Sequence, residues 1–295
     1  MELVNCDDLA VVQDRLYGGL TGSKIAVRYN GRVWMLKSCE RLRDKNFKNV
    51  ELSYANDPVS EYIGSNVYGI LGIPVQDTLL GSYKGRLCVL CSDDAYPGRL
   101  FEFREFRNAL FDEDITQVSS GMSTSIADIM QVIEMSDRIP TEDTKQRFWQ
   151  MFAIDALIGN TDRNNGNWGF VFEQGVFQLY GVYDCGGSLN NKRSDGQMRS
   201  DLECGRMQTL ALNYTLNFKN EAGRRINPFK YLEQNEHVDA LQVFSEKKLQ
   251  EILDFVNGVD IISDVRKLWY SEILRIRFEK LLKIRNVGSA SSIFS

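Results

Sequence analysis

The sequence predicts an α+β chain of two lobes, a small antiparallel sheet with one helix followed by a larger, mainly helical part. Three observations carry that expectation. Strand signals and turn pairs fill the first hundred residues. A single helical stretch, 58–71, interrupts them. Beyond a polar Ser/Thr/Asp-rich connection near 113–126, the spacing of apolar residues becomes helical, as at 144–158, 249–256 and 265–284. The change of character near the apolar run at Leu100 to Phe103 places the lobes at 1–103 and 104–295.

Each element has its own signal. Residues 24–29 and 32–37 flank Asn30-Gly31, a preferred pair for a type I′ turn, and so read as a hairpin. In 58–71 the residues Ile63, Val67, Ile70 and Leu71 form an apolar stripe, and Gly72 with Pro74 stops the helix. Residues 75–80 and 86–91 read as two more strands about a turn spanning Gly81 to Gly85. The stretch 144–158 buries Phe148, Phe152, Ala153, Ala156 and Leu157 and runs into a polar loop. Residues 170–180 read as a short hairpin turning at Gln174-Gly175. The charged, glycine-containing segment 191–201 reads as a mobile loop. In the last helix Arg275, Arg277, Lys280 and Lys283 read as a solvated face.

Bulk composition narrows the function classes. At 295 residues the chain can bury a sizeable core. A net charge of −5 gives a nucleic-acid partner little support. No run approaches the ~20 apolar residues of a membrane span. The first eight residues lack a basic and an apolar signal region, so the expectation is a cytoplasmic bacterial protein, with signal-less export to a host left open. Of six cysteines, Cys88 and Cys91 form a lone C-x-x-C in a strand-like run, which fits reduced structural thiols better than a zinc site. A single histidine, His237, disfavours triad or histidine–metal chemistry.

The chemistry lies in 159–186. Asp162 is followed five residues later by Asn167, and an apolar run then ends in Asp184-Cys185-Gly186. Phosphoryl transfer of the protein-kinase kind uses these three groups in this order. One carboxylate orients the attacking hydroxyl, while an amide and a second carboxylate hold Mg²⁺ against the phosphates of ATP. Both are hard oxygen donors suited to that ion. By composition alone, 161–167 is also ordinary turn chemistry. Lys37 closes the strand Trp34-Met35-Leu36-Lys37, where a lysine could pair with nucleotide phosphates. Glu61, in the first turn of the following helix, is the candidate partner of that lysine, or else a plain dipole-complementing acid. Gly18, Gly19, Thr21, Gly22 and Ser23 form a glycine-rich turn able to present backbone N–H groups to phosphates, though not a Walker A loop.

Together these motifs, with Leu71-Gly72-Ile73-Pro74 and Asp155-Ala156-Leu157-Ile158-Gly159-Asn160 leading into Asp162 and on to Trp168-Gly169-Phe170, resemble the HipA-like serine/threonine kinases, in particular their compact single-chain members of CtkA type. The resemblance implies a bilobal protein-kinase-like fold and Mg-ATP-dependent transfer to protein Ser or Thr. It also implies autophosphorylation in or near the glycine-rich loop, where Thr21 and Ser23 are the available hydroxyls, and an antitoxin-type or host protein as a candidate partner. It places Asp162 and Asn167 in catalysis, Asn167 and Asp184 on the metal, and Gly19, Thr21, Gly22, Ser23, Lys37 and Glu61 around the nucleotide. One departure stands out: the family usually carries His two residues after the catalytic Asp, and this chain has Asn164. An amide orients a loop but relays no proton near pH 7. Two other readings stay open. Asp-Arg-x-x-x-Asn with Asp-x-Gly also resembles phosphatidylinositol kinases, which the acidic balance disfavours, and the substituted motif fits a non-catalytic nucleotide-binding module.

Overall fold

The computed structural model describes residues 2–18, 24–38, 57–111, 123–235 and 238–291. Gly19, Thr21, Gly22, Ser23 and His237 lie outside the described residues. The architecture is mixed α+β, with a curled six-stranded sheet leading into a helical C-terminal part.

The sheet runs β1-β5-β6-β4-β3-β2. Its strands are β1 (Val4–Asn5), β2 (Ala10–Val11), β3 (Lys24–Tyr29), β4 (Arg32–Ser38), β5 (Thr78–Tyr83) and β6 (Arg86–Ser92). All pairs are antiparallel except β1 with β5. Asn30 and Gly31 take φ of 48° and 77°, the left-handed pair that a type I′ hairpin needs. The β5–β6 turn is tighter than the expected Gly81–Gly85 span. It consists of Lys84 and Gly85, at φ 50° and 69°. Gly81 lies inside β5, because β1 passes so close that a Cβ there would meet the Val4 carbonyl oxygen at 2.7 Å. The strand expected from residue 75 begins at Thr78; Val75 instead forms a parallel bridge to Val182.

Helix α1 (Pro58–Ile70) is capped by Asp57, whose carboxylate accepts from the backbone N–H of Val59 (3.0 Å) and Ser60 (3.3 Å), with Pro58 at a position that needs no donor. Ile63 and Val67 face the core. Strand β7 (Leu100–Glu102) leads directly into α2 (Phe103–Phe111). It pairs with β8 (Gly169–Glu173), which turns back as β9 (Val176–Leu179) through Gln174 and Gly175.

The helical part continues with α3 (Ile126–Met135), α4 (Thr141–Ile158), α5 (Asp195–Glu203), α6 (Met207–Leu212), α7 (Pro228–Gln234), α8 (Glu246–Asn257) and α9 (Asp264–Ser291). The second half of α4 is fully buried, and α9 packs on α4, α5, α6 and α8. Each fully buried Leu, Ile or Phe on these faces contributes about 1.5–3 kcal/mol. Helix α1 also touches α8, where Tyr62 meets Phe255 at a ring separation of 5.6 Å.

Two expectations change here. Segment 191–201 is not a free loop. Ser194 and Gln197 form a capping box that starts α5, and Arg193 grips the buried Asp201 at 2.5 and 2.6 Å. Arg277 is not on the solvated face of α9. It is 1% exposed, because it continues the core stripe of Tyr270, Ile273 and Leu274. Its guanidinium donates to the carbonyls of Leu157 (3.2 Å) and Ala211 (3.0 Å) and lies over the Tyr214 ring. Burial pulls its pKa down, partly opposed by Tyr214.

Arg277 accounts for Gly159, which ends α4 at φ 67°. A Cβ there would stand 2.5 Å from Arg277 Nη1, and that guanidinium is pinned. Gly159→Ala should therefore combine left-handed strain with overpacking, a loss of about 2–4 kcal/mol. A urea titration checks this; a variant within ~0.5 kcal/mol of wild type would contradict it.

Candidate active site

Lys37 points from β4 into the interface between sheet and helices, and its side chain is 3% exposed. An ammonium so buried needs anions. It donates to Glu61 Oε2 at 2.9 Å and to Asp184 Oδ1 at 3.2 Å. Burial alone would depress its pKa, but the carboxylates of Asp184 and Glu61 outweigh it and hold the amine well above its usual value. Glu61 is held from its other oxygen, where Oε1 accepts from Gln76 Nε2 and from the backbone N–H of Cys185, each at 2.9 Å. Asp184 sits at φ 62°, a left-handed conformation that Asp tolerates better than most residues. Lys37 holds the Asp184 carboxyl below the usual range, against the opposing effect of burial.

The loop after α4 is assembled around a buried ion pair. Arg163 and Asp155 are both 0% exposed and meet through two hydrogen bonds of 2.8 and 3.1 Å. Arg163 Nη1 also donates to the carbonyls of Asn167 (2.8 Å) and Tyr183 (2.5 Å). One guanidinium thus ties α4, the loop and the segment entering Asp184. Asp155 further accepts from Tyr68 of α1 (2.8 Å) and from Asn160 (3.2 Å). Asn160 Oδ1 receives the Asp162 N–H at 3.3 Å. The side chains of Asn167 and Asn164 both donate to the Asp162 carbonyl, at 3.3 and 3.0 Å, and Asn164 Oδ1 also accepts from Gly166 N–H at 2.8 Å. Asn164 therefore shapes the loop from within.

Asp162 lies exposed beside the cleft. The surrounding walls still desolvate its carboxyl and, with Asp184 nearby, push its pKa up against the pull of Arg163, Lys192 and Arg225. The chain after Asp184 passes so close that a Cβ on Gly187 would meet Asn160 Oδ1 at 2.8 Å and Asp162 Cβ at 2.9 Å. The pair Gly186-Gly187 is the sequence trace of that approach.

A cleft of about 710 Å³ opens in front of these groups, lined by Met35, Lys37, Glu102, Asn167, Tyr183 and Asp184 among others. The structure thus brings Lys37, Glu61, Asp162, Asn167 and Asp184 to one place. The loop glycines and hydroxyls at 19 and 21–23 lie outside the described residues, while Gly18 lines the cleft. Gln76, Tyr68 and Arg163 are supporting residues that motif reading alone does not single out. Arg163 had a signal, as the second residue of Asp-Arg-x-x-x-Asn; Gln76 and Tyr68 had none.

No protein-family profile matches the chain. The serine/threonine-protein kinase CtkA of Helicobacter pylori is 28% identical over 277 residues, covering 91% of this chain and 83% of the relative. The crystal structure of the H. pylori proinflammatory kinase CtkA superposes with a TM-score of 0.88 at 26% identity, over 99% of both chains. The Shewanella oneidensis MR-1 HipA, in its complex with HipB and operator DNA, shares the fold at a TM-score of 0.50 and 11% identity, over 97% of this chain and 75% of that one. By sequence over nine-tenths of its length, and by fold over nearly all of it, the chain is a homologue of CtkA with a kinase-like architecture.

Proposed function

We propose that the chain is a serine/threonine protein kinase that transfers the γ-phosphate of ATP with Mg²⁺, and that it phosphorylates itself as well as a protein substrate. The carrying observation is the shared carboxylate clamp on Lys37, set in one cleft with Asn167, with the Asp162 carbonyl held by the Asn167 side chain at the cleft edge. On this reading residues 1–103 present the nucleotide and 104–295 the acceptor. It places the acceptor in the cytoplasm, with an antitoxin-type or host protein as partner.

The donor set fits the ion. Asp184 and Asn167 offer one carboxylate and one amide oxygen at the cleft. Among the described residues no cluster of three or more His, Cys, Asp or Glu forms a metal cage. Magnesium favours this arrangement, since it is held by one or two side chains together with substrate phosphates. When bound there, the ion would neutralise charge on the phosphates. Lys37, its charge fixed by two carboxylates, binds phosphate oxygens. Asp162 accepts the hydrogen bond of the acceptor hydroxyl and aligns its oxygen for attack. Asn164 and Asn167 hold the Asp162 backbone in place. No helix among the described residues is long and apolar enough to cross a membrane.

Intact mass before and after Mg-ATP tests the reading. Wild type should gain phosphate and Asp162→Asn should not, with Thr21 or Ser23 the mapped acceptor. Wild type and variant alike transferring nothing, to themselves or to a panel of Ser/Thr peptides, would sink it.

The raised pKa of Asp162 gives a pH test. The carboxylate is the working form, so kcat/KM should fall as pH drops through a value above the ordinary Asp pKa of about 3.9. Stability has the opposite sense. A raised acid pKa means the folded state binds the proton more tightly, so stability declines as pH rises through that window. At neutral pH Asp162→Asn should therefore lose activity yet unfold at a higher urea concentration than wild type. An inactive variant with a lower midpoint would contradict this account.

A further inference from the structure

A group of cations lies near Asp162. Lys192 and Arg225 both act on the Asp162 carboxylate. Lys219 pairs directly with Arg225 across an antiparallel bridge. None of the three forms an ion pair among the described residues, although their neighbours do: Arg193 holds Asp201, and Arg266 holds Asp195. Like charges directly across a ladder repel and weaken the pairing. Among the described residues no ion pair offsets that repulsion.

The cations are also positioned. Arg225 Nη2 donates to Asn217 Oδ1 at 3.2 Å, and Asn217 Nδ2 donates to the Arg163 carbonyl at 3.2 Å. Arg225 is therefore two hydrogen bonds from the residue that follows Asp162. Lys192 lies five residues after Gly187, whose backbone presses against Asp162. This stretch of chain is braced by the Asn191 amide donating to the Gly186 carbonyl at 2.7 Å. Both side chains are exposed.

We infer that Lys192 and Arg225, with Lys219 behind them, bind carboxylates of the acceptor protein, so that Ser or Thr is selected within an acidic sequence. The inference rests on the kinase reading for one point only, that the acceptor hydroxyl lies at Asp162. Exposed charge pairs are individually weak, and two acting together give about a tenfold preference that shrinks as salt is raised.

The test uses three fluorescein-labelled peptides with one central Ser, flanked by Glu, by Gln or by Lys. Anisotropy without nucleotide reads binding, and transfer from Mg-ATP reads KM and kcat. Wild type should bind the Glu peptide about tenfold more tightly than the Gln peptide and show the same ratio in KM. Arg225→Glu should lose this preference and favour the Lys peptide. Lys192→Glu, at an exposed side chain with no ion pair among the described residues, should do the same and guards against misfolding of the first variant. Equal binding of all three peptides to wild type overturns the inference. So does a uniform fall in kcat for every peptide without a change in binding preference, which would assign the guanidinium to the transferred phosphate. Discrimination in binding with no transfer would keep the acidic docking site and sink the kinase reading instead.

Discussion

Asp184→Asn should reduce phosphate transfer by about 10³-fold or more while leaving the protein folded. The substitution keeps volume and removes one charge. That charge is fully developed at neutral pH, because Lys37 holds the Asp184 carboxyl below its usual range. Without it Lys37 keeps Glu61, so the buried ammonium is not orphaned. The stability cost has a defined sign. A depressed carboxyl contributes stability above its unfolded pKa and loses it as pH falls through the folded one. At neutral pH Asp184→Asn gives up that contribution, offset in part by relief of the repulsion on Asp162. The expected signature is a midpoint near wild type with single-turnover transfer nearly gone. Undiminished transfer would remove Asp184 from the metal site.

Asp155→Ala should have the largest effect on stability, about 3–5 kcal/mol. It strips the carboxylate from a fully buried guanidinium and leaves the Tyr68 hydroxyl without its shorter acceptor. The two carbonyls that Arg163 still reaches cannot replace a full negative charge. Urea unfolding reads the loss. The pair Asp155→Ala with Arg163→Met should recover a large part of it, since the cost lies in the uncompensated charge rather than in the missing bond. A single variant within ~1 kcal/mol of wild type would mean that water reaches the guanidinium.

What could be read from the sequence was local. The Asn-Gly hairpin, the capped α1, the α4-to-loop junction and the hairpin at Gln174-Gly175 each have their determinants within a few residues. The sheet with one helix, and the helical part after it, follow from those units. The features missed depend on distant chain. Gly81 looks like a turn residue until the two-residue β1, too short to carry a pattern, passes beside it. Gln76 has no motif, because its role is set by where α1 places Glu61. Two misreadings did have signals. Ser194-x-x-Gln197 is a helix start inside a segment whose charge suggested a loop. Arg277 falls four residues after Ile273, on the core stripe, where a charged letter hid a buried position.

The packing of α1 limits how this protein can be regulated. On one side Glu61 is fastened to Lys37, Gln76 and the Cys185 backbone. On the other, Tyr62 rests on Phe255 of α8. A swing of α1 that freed Lys37 would have to break these contacts together. These contacts hold the helix where Glu61 meets Lys37. In this fold the Lys37–Glu61 pair is already made. Restraint that leaves α1 in place would act through how much of the protein a cell makes, what occupies its cleft, or what chemistry marks its surface.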